Sequence, residues 1–329
     1  MLQKYLARAV VPAIVMMTTA TLTASCAVTS GQAAAGSSAK TGSAAATRDE
    51  SAFPVTVHAA DGAIRLQSRP DKIISLSPTG TEMLYAIGAG RQVLAVGQYS
   101  DYPPQAPHTT LSEVSPSVES IAVRHPDLVV TDSEGAATLP KQLAGFGIPV
   151  IMLPAAASLP DVYAQIDELG RATGHLAQAD GEARRIRAQI AGIVASVPHR
   201  RGPLTYYYEL TTDYYSVTSS TFVGRLLGLL GLKSIADSAR GSAAAGGYPQ
   251  LSEESILKAD PDYVFLADTI CCAQSARTVA ARPGWNQVAA VREGHVVKLN
   301  DDIASRWGPR IVDLLRTVAN ALRRDQGSQ

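Results

Sequence analysis

Residues 117–132, SVESIAVRHPDLVVTD, and residues 252–268, SEESILKADPDYVFLAD, share Ser, Glu, Ser, Ile, Pro, Asp and Val at equal spacing. A match of that density within one chain marks an internal duplication. Each copy reads alike: a serine ahead of an acidic first turn opens a short helix, and Pro-Asp then leads into an apolar run of strand length. A helix feeding a buried strand, twice over, restricts the chain to two related α/β units. Two copies make similar lobes, not a solenoid.

The surrounding segments fill in both units. KIISL (72–76), QVLAV, DLVVTD and PVIML are short apolar strands with helical stretches between them, which argues for a parallel sheet. In SPTGTEMLYAIGAG, Thr79 and Glu82 fit a capping box, and the helix stops at Gly88 or Gly90. LTYYYEL, TFVGRLLGLLGL, DYVFLAD and HVVKL build the second unit, and VTVHAADGAIRL reads as a hairpin about Asp61-Gly62. Residues 158–197 are helix-forming, broken only near Thr173-Gly174. From His175 to Val197, at 1.5 Å per residue, a rod of roughly 35 Å results. The expected fold is α/β: two Rossmann-like lobes, 52–157 and 198–329, joined through 158–197 by a single long backbone helix. A ligand cleft then lies between the lobes.

The N-terminus is different in kind. Lys4 and Arg8 precede an apolar segment from Ala9 to about Thr18, then small residues up to Cys26, the order of an export signal over 1–25. Its apolar core is short for a membrane span. Residues 26–51 are mostly Ala, Ser, Gly and Thr, the composition of a flexible tether. With 29 Lys+Arg against 29 Asp+Glu there is no basic excess to mark a nucleic-acid partner.

Motifs of catalysis are missing. The six histidines show no H-E-x-x-H spacing, and neither G-x-S-x-G nor a P-loop occurs. A protein without enzyme activity, resident metal or cofactor is expected; a lipid-anchored enzyme of unknown type is the different-class alternative. Cys271 and Cys272 are adjacent, and export leaves two readings open, a vicinal disulfide or two free thiols.

GQYSDYPPQAP, residues 97–107, places Tyr99 and Tyr102 in a stiff loop of a chain with only 5% aromatic residues. Rigid aromatics at a strand end suit a flat ligand. Together with RPDKIISLSPTGTEMLYAIG, the ESI–PDLVV segment and DDIASRWGPRI, this loop resembles the substrate-binding proteins of bacterial ABC importers for cobalamin, ferric siderophores and haem. YSDYPPQA looks closest to the cobalamin-binding branch.

The resemblance implies a cobalt or iron chelate as ligand, a corrinoid favoured over a ferric siderophore or haem. It assigns Tyr102 to the ring platform, with Tyr99 beside it and Tyr215 as a second cleft aromatic. Asp302 and Arg306 match a D-x-x-x-R pair lining the cleft. Ile303 and Ala304 stand where the branch carries Trp and Phe, with Trp307 close by. Ser77 and the hydroxyls of 218–221 are candidate polar contacts, and Tyr208 is the candidate from Tyr206–Tyr208. Glu119 and Glu254, equivalent in the repeat, are implied to dock a permease dimer driven by its ATPase; a charge in the first helical turn is also stabilised without any partner. Thr23-Ala24-Ser25-Cys26 resembles a lipobox with Thr23 where leucine is usual, which implies lipid anchoring at Cys26; a monomer is expected. Simple secretion is the alternative.

Overall fold

The computed structural model describes residues 53–60, 62–132, 137–198 and 202–326. The export signal, the tether, Cys26 and the turn residue Asp61 lie outside them. β1 (Val55–Ala59) and β2 (Gly62–Leu66) form the antiparallel hairpin. Lobe 1 follows as β3 (Ile73–Leu76), α1 (Pro78–Ala86), β4 (Val93–Val96), α2 (Val118–Ala122), β5 (Leu128–Asp132), α3 (Leu139–Ala144) and β6 (Val150–Leu153). Next come α4 (Leu159–Thr173) and α5 (Leu176–Ala195). Lobe 2 holds β7 (Leu204–Glu209), α6 (Phe222–Gly228), β8 (Leu232–Ser234), α7 (Glu253–Ala259), β9 (Tyr263–Leu266), α8 (Ala276–Ala280), α9 (Ala289–Arg292), β10 (Val296–Lys298), α10 (Asp301–Ala304) and α11 (Ile311–Gln326).

Both sheets are parallel and share one topology. The strand orders are β4-β3-β5-β6 and β8-β7-β9-β10, so each lobe's second strand lies outside its first. The repeated residues explain the repetition. Ser117 and Ser252 cap α2 and α7, each accepting from the backbone N–H three residues on. Ile121 and Ile256 are buried beneath those helices, and Val129 and Val264 are buried in the strands. Asp127 accepts the backbone N–H groups of Asp71 and Lys72 at 2.9 Å, and Asp262 accepts that of Thr205 at 2.7 Å. Each aspartate thus ties its own lobe's first strand to its third. The repeated glutamates do nothing of this kind: both are exposed.

Three apolar clusters follow from strand alternation. Ile73 faces the large core shared by both lobes, α4, α5 and α11, whereas Ile74 faces the outer layer of lobe 1. In lobe 2, Tyr206 and Tyr208 point into the shared core and Tyr207 into the outer layer with Trp285. The 158–197 segment differs in detail from a single rod. α4 ends at Gly174, φ 74°, and α5 folds back onto it; a Cβ on Gly170 would lie 2.3 Å from that of Ala179. α5 alone spans about 30 Å at 1.5 Å per residue, and α11 packs along it.

Candidate functional site

In open α/β sheets, ligands bind beyond the carboxyl ends of the strands, where strand order reverses. The loop after β4 carries Tyr99 and Tyr102, α10 after β10 carries Asp302, and the loop after α10 carries Arg306 and Trp307. They meet. Arg306 donates to Glu82 and Asp101 at 3.2 Å, to the Tyr99 carbonyl at 3.0 Å and to Asp302 at 2.9 Å. Its side chain is only 11% exposed. The i,i+4 pair with Asp302 is therefore one corner of a cross-lobe ion cluster, not a solvated surface pair. Burial raises the Asp302 carboxyl above its ordinary value, and Arg306 opposes the rise.

Glu82 is the buried centre of this cluster. Arg310 reaches it through Nε at 3.0 Å and through a second nitrogen. The Arg310 guanidinium also lies 4.0 Å from the centroid of Tyr102, a cation–π contact that fixes one face of the ring. Tyr102 remains 41% exposed. The cap of α1 is not the Thr79–Glu82 box but Ser77, whose hydroxyl accepts from Gly80 N–H at 3.1 Å while Pro78 occupies the first turn. With its cap moved, Glu82 is free to face the opposite lobe.

The Tyr99–Tyr102 loop is held from below by a residue that motif reading missed. Glu113 is buried and accepts the Tyr99 N–H at 2.9 Å and the Ser100 hydroxyl at 3.4 Å. Burial pushes its carboxyl up, against these hydrogen bonds. A Cβ at Gly97 would lie 2.1 Å from that carboxyl group, so the loop needs glycine there. A concavity of about 550 Å³ runs from Tyr102 and Pro103 past Glu82 and Arg310 to Glu182 and Arg185 on α5.

Two expected contacts fall out. Ser77 is fully buried and spent as a helix cap. Tyr208 is fully buried too, donating to the Ala304 carbonyl at 3.2 Å, because both faces of β7 are covered. Thr218 and Thr221 likewise close a local turn, Thr221 capping α6. Tyr215 is half-buried and bridges to Gln250. Trp307 is partly buried and donates to Gln165 of α4 at 2.8 Å. Tyr99 is exposed beside Tyr102, its backbone doing the anchoring.

Lobe 2 also buries a charged cluster at the carboxyl ends of β7 and β9. Glu209 is fully buried and receives Arg282 in two bonds of 2.6 Å. Asp268, fully buried nearby, has its carboxyl pushed up to about 7 by burial and by the Glu209 charge. Arg282 packs over Trp285, and Trp285 donates to Glu253 at 2.9 Å, next to the exposed Glu254 on α7. Cys271 and Cys272 are exposed free thiols on the loop after β9. In lobe 1, Glu119 is exposed at the start of α2, where the backbone and the Ser117 hydroxyl hold its carboxyl below the usual value. A broad groove of about 960 Å³ runs beside it, past exposed Val123 and Phe146.

Residues 73–303 match the family described as Periplasmic binding protein. The chain belongs to that family. Its members serve as extracytoplasmic substrate-binding components of ABC importers, and the two matched lobes here are the binding body. Among curated proteins, an uncharacterized ABC transporter substrate-binding lipoprotein of Bacillus subtilis is 28% identical over 83% of this chain and 87% of its own length. A cobalamin-binding protein of Halobacterium salinarum is 32% identical over 82% of this chain and 74% of its own. The crystal structure of a periplasmic vitamin B12-binding protein of Vibrio cholerae superposes with a TM-score of 0.64 at 24% identity, covering 78% of this chain and 98% of that one. The periplasmic binding fold therefore extends over both lobes and the helical segment between them.

Proposed function

We propose that this binding protein captures a metal chelate, a corrinoid in the first place, and delivers it to a two-fold permease without transforming it. The observation that carries the reading is Tyr102: an exposed ring at the meeting of two lobes, backed on one face by Arg310 and flanked by Arg306 and Asp302. A macrocycle needs broad flat contact plus a few fixed polar groups at its edge, and that corner supplies both. The cobalamin-binding relative supports the corrinoid over other chelates. Cobalt arrives inside the ligand, so no resident cofactor is required. Exposure of Glu119 and Glu254, at equivalent places in the repeat, supports docking at both lobes. Cys26 is proposed as the lipid anchor of a monomer.

Titration with cobalamin, a ferric hydroxamate siderophore and haem, read by Trp307 fluorescence, tests the ligand. Cobalamin should bind stoichiometrically, reversibly and most tightly, and Tyr102→Ala should weaken it well beyond Tyr99→Ala. Equal effects of the two substitutions, or preference for another chelate, would overturn the assignment.

A further inference from the structure

The loop after β9 is held unusually well for a segment that exposes two thiols. The backbone N–H groups of Thr269, Ile270 and Cys271 all donate to the Asp301 carboxylate at 2.8 Å, and the Thr269 hydroxyl joins them at 3.0 Å. The Asp268 carbonyl accepts from Cys272 and Gln274 at 3.3 Å, and the Gln274 side chain accepts from Arg282 at 2.9 Å. The loop and α10 thus share Asp301, whose neighbour Asp302 grips Arg306 at the lobe junction. Whatever rearranges Cys271 rearranges the support of Asp302.

We propose that Cys271 and Cys272 are a dithiol–disulfide couple that takes oxidising equivalents from a small-molecule or protein disulfide and sets the position of Asp301 and Asp302. Cys272 attacks one sulfur of the donor disulfide and expels the other as a thiolate, leaving a mixed disulfide. Cys271 then loses its proton, attacks the Cys272 sulfur and releases the second donor thiol. Two thiols are oxidised by two electrons and the donor is reduced to two thiols, so no further reactant is needed. Cys271 is pinned by its N–H on Asp301 at 2.8 Å and its thiol is raised by burial and the adjoining sulfur, so the first attack falls to Cys272, whose N–H is held more loosely, 3.3 Å from the Asp268 carbonyl. Closing a ring between adjacent residues reorients the peptide that joins them, pulls the Cys272 N–H off the Asp268 carbonyl and, by turning the backbone at Cys271, draws the Cys271 N–H away from Asp301. The export setting supplies the disulfides.

The consequence for affinity rests on the corrinoid reading above; the chemistry does not. The full mature protein is incubated with glutathione disulfide or with a phosphine reductant. Oxidation should make the peptide 259–277 lighter by two hydrogens, abolish its alkylation by iodoacetamide, and speed amide exchange at Cys271 and Cys272. Cys271→Ser should instead trap glutathione on Cys272. Cobalamin should bind about tenfold more weakly to the oxidised form, the size of one lost charge-assisted hydrogen bond. The Cys271→Ser, Cys272→Ser double variant should ignore the oxidant. A persistent mixed disulfide in the unmodified protein, or a ring that leaves amide exchange unchanged, would overturn the couple. If cobalamin binds neither form, the ligand assignment fails, and peptide mass with amide exchange still decides the redox site.

Discussion

The two lobes share strand order, caps and strand ties, yet at the carboxyl end of the first strand they bury different polar groups. Beneath α1, lobe 1 encloses neutral hydroxyls: Thr81 donates to Ser75 at 2.9 Å and Ser75 to the Ser77 carbonyl at 3.2 Å. Lobe 2 encloses Glu209, Asp268 and Arg282 among Tyr207, Tyr214 and Trp285. Duplication supplied the frame, and the frame does not dictate what fills it. Lobe 1 buries carboxyls as well, Glu82 and Glu113, and burial raises Glu113, so pH acts on both lobes. The charged cluster of lobe 2 extends through Trp285 and Glu253 to the helix that bears Glu254.

If both lobes dock, their exposed glutamates are a further feature in which the lobes are alike. The largest expected effect therefore belongs to the Glu119→Arg, Glu254→Arg protein, which should lose uptake in cells while binding its ligand normally. Each single reversal should cost a similar share. Uptake retained by the double variant would remove the docking role and leave these charges to the helix ends.

The interiors should differ sharply. Arg282→Met strands Glu209 without its guanidinium and should cost about 3–5 kcal/mol in urea unfolding. Ser75→Ala in lobe 1 removes one buried hydroxyl bond and should cost about 1 kcal/mol. Similar values would mean that Glu209 takes up a proton at little cost when its partner is gone.

The pH response follows from Asp268. Its folded value of about 7 lies above its ordinary 3.8, so the folded state holds this proton more tightly than the unfolded chain. Stability then falls as pH rises from about 4 to about 7 and levels off beyond, a loss of a few kcal/mol. Asp268→Asn keeps a neutral group beside Glu209 and should stabilise the protein at pH 8 but not at pH 4. A pH-independent effect would contradict the placement of the proton. Glu209 and Arg282 are the charged neighbours that could displace that window.

What could be read in advance was whatever depends on near neighbours. Serine caps, strand runs and the break near Gly174 are local, and repetition doubled the signal at 117–132 and 252–268. The Tyr102 loop was legible from its prolines and its scarcity of competing aromatics. Glu82 was not, since its partners Arg306 and Arg310 lie more than 200 residues away and a nearer threonine offered it a plausible cap. Tyr208 was misread because alternation assigns a side chain to a face without telling which faces are covered. Ser77 was misread for a third reason: a hydroxyl at the carboxyl end of a strand serves a ligand or a helix cap equally well. Pro78, which favours the first helical turn, was the signal that could have decided it.

The smallest effect is the most demanding test of likeness. Ser117 and Ser252 each accept one backbone N–H at the start of a short helix, at 3.1 and 3.2 Å. Alanine at either position should cost about 1 kcal/mol. Because α2 and α7 each lead into the third strand of their sheet, the two losses should agree within a few tenths and add in the double variant. Only lobe 2 gives the cap a route inward: α7 carries Glu253, bonded to Trp285 and Tyr214. Ser252→Ala should therefore shift Trp285 emission, whereas Ser117→Ala should leave it unmoved. Equal stability costs with unequal fluorescence would separate the inherited frame from the wiring that lobe 2 acquired within it.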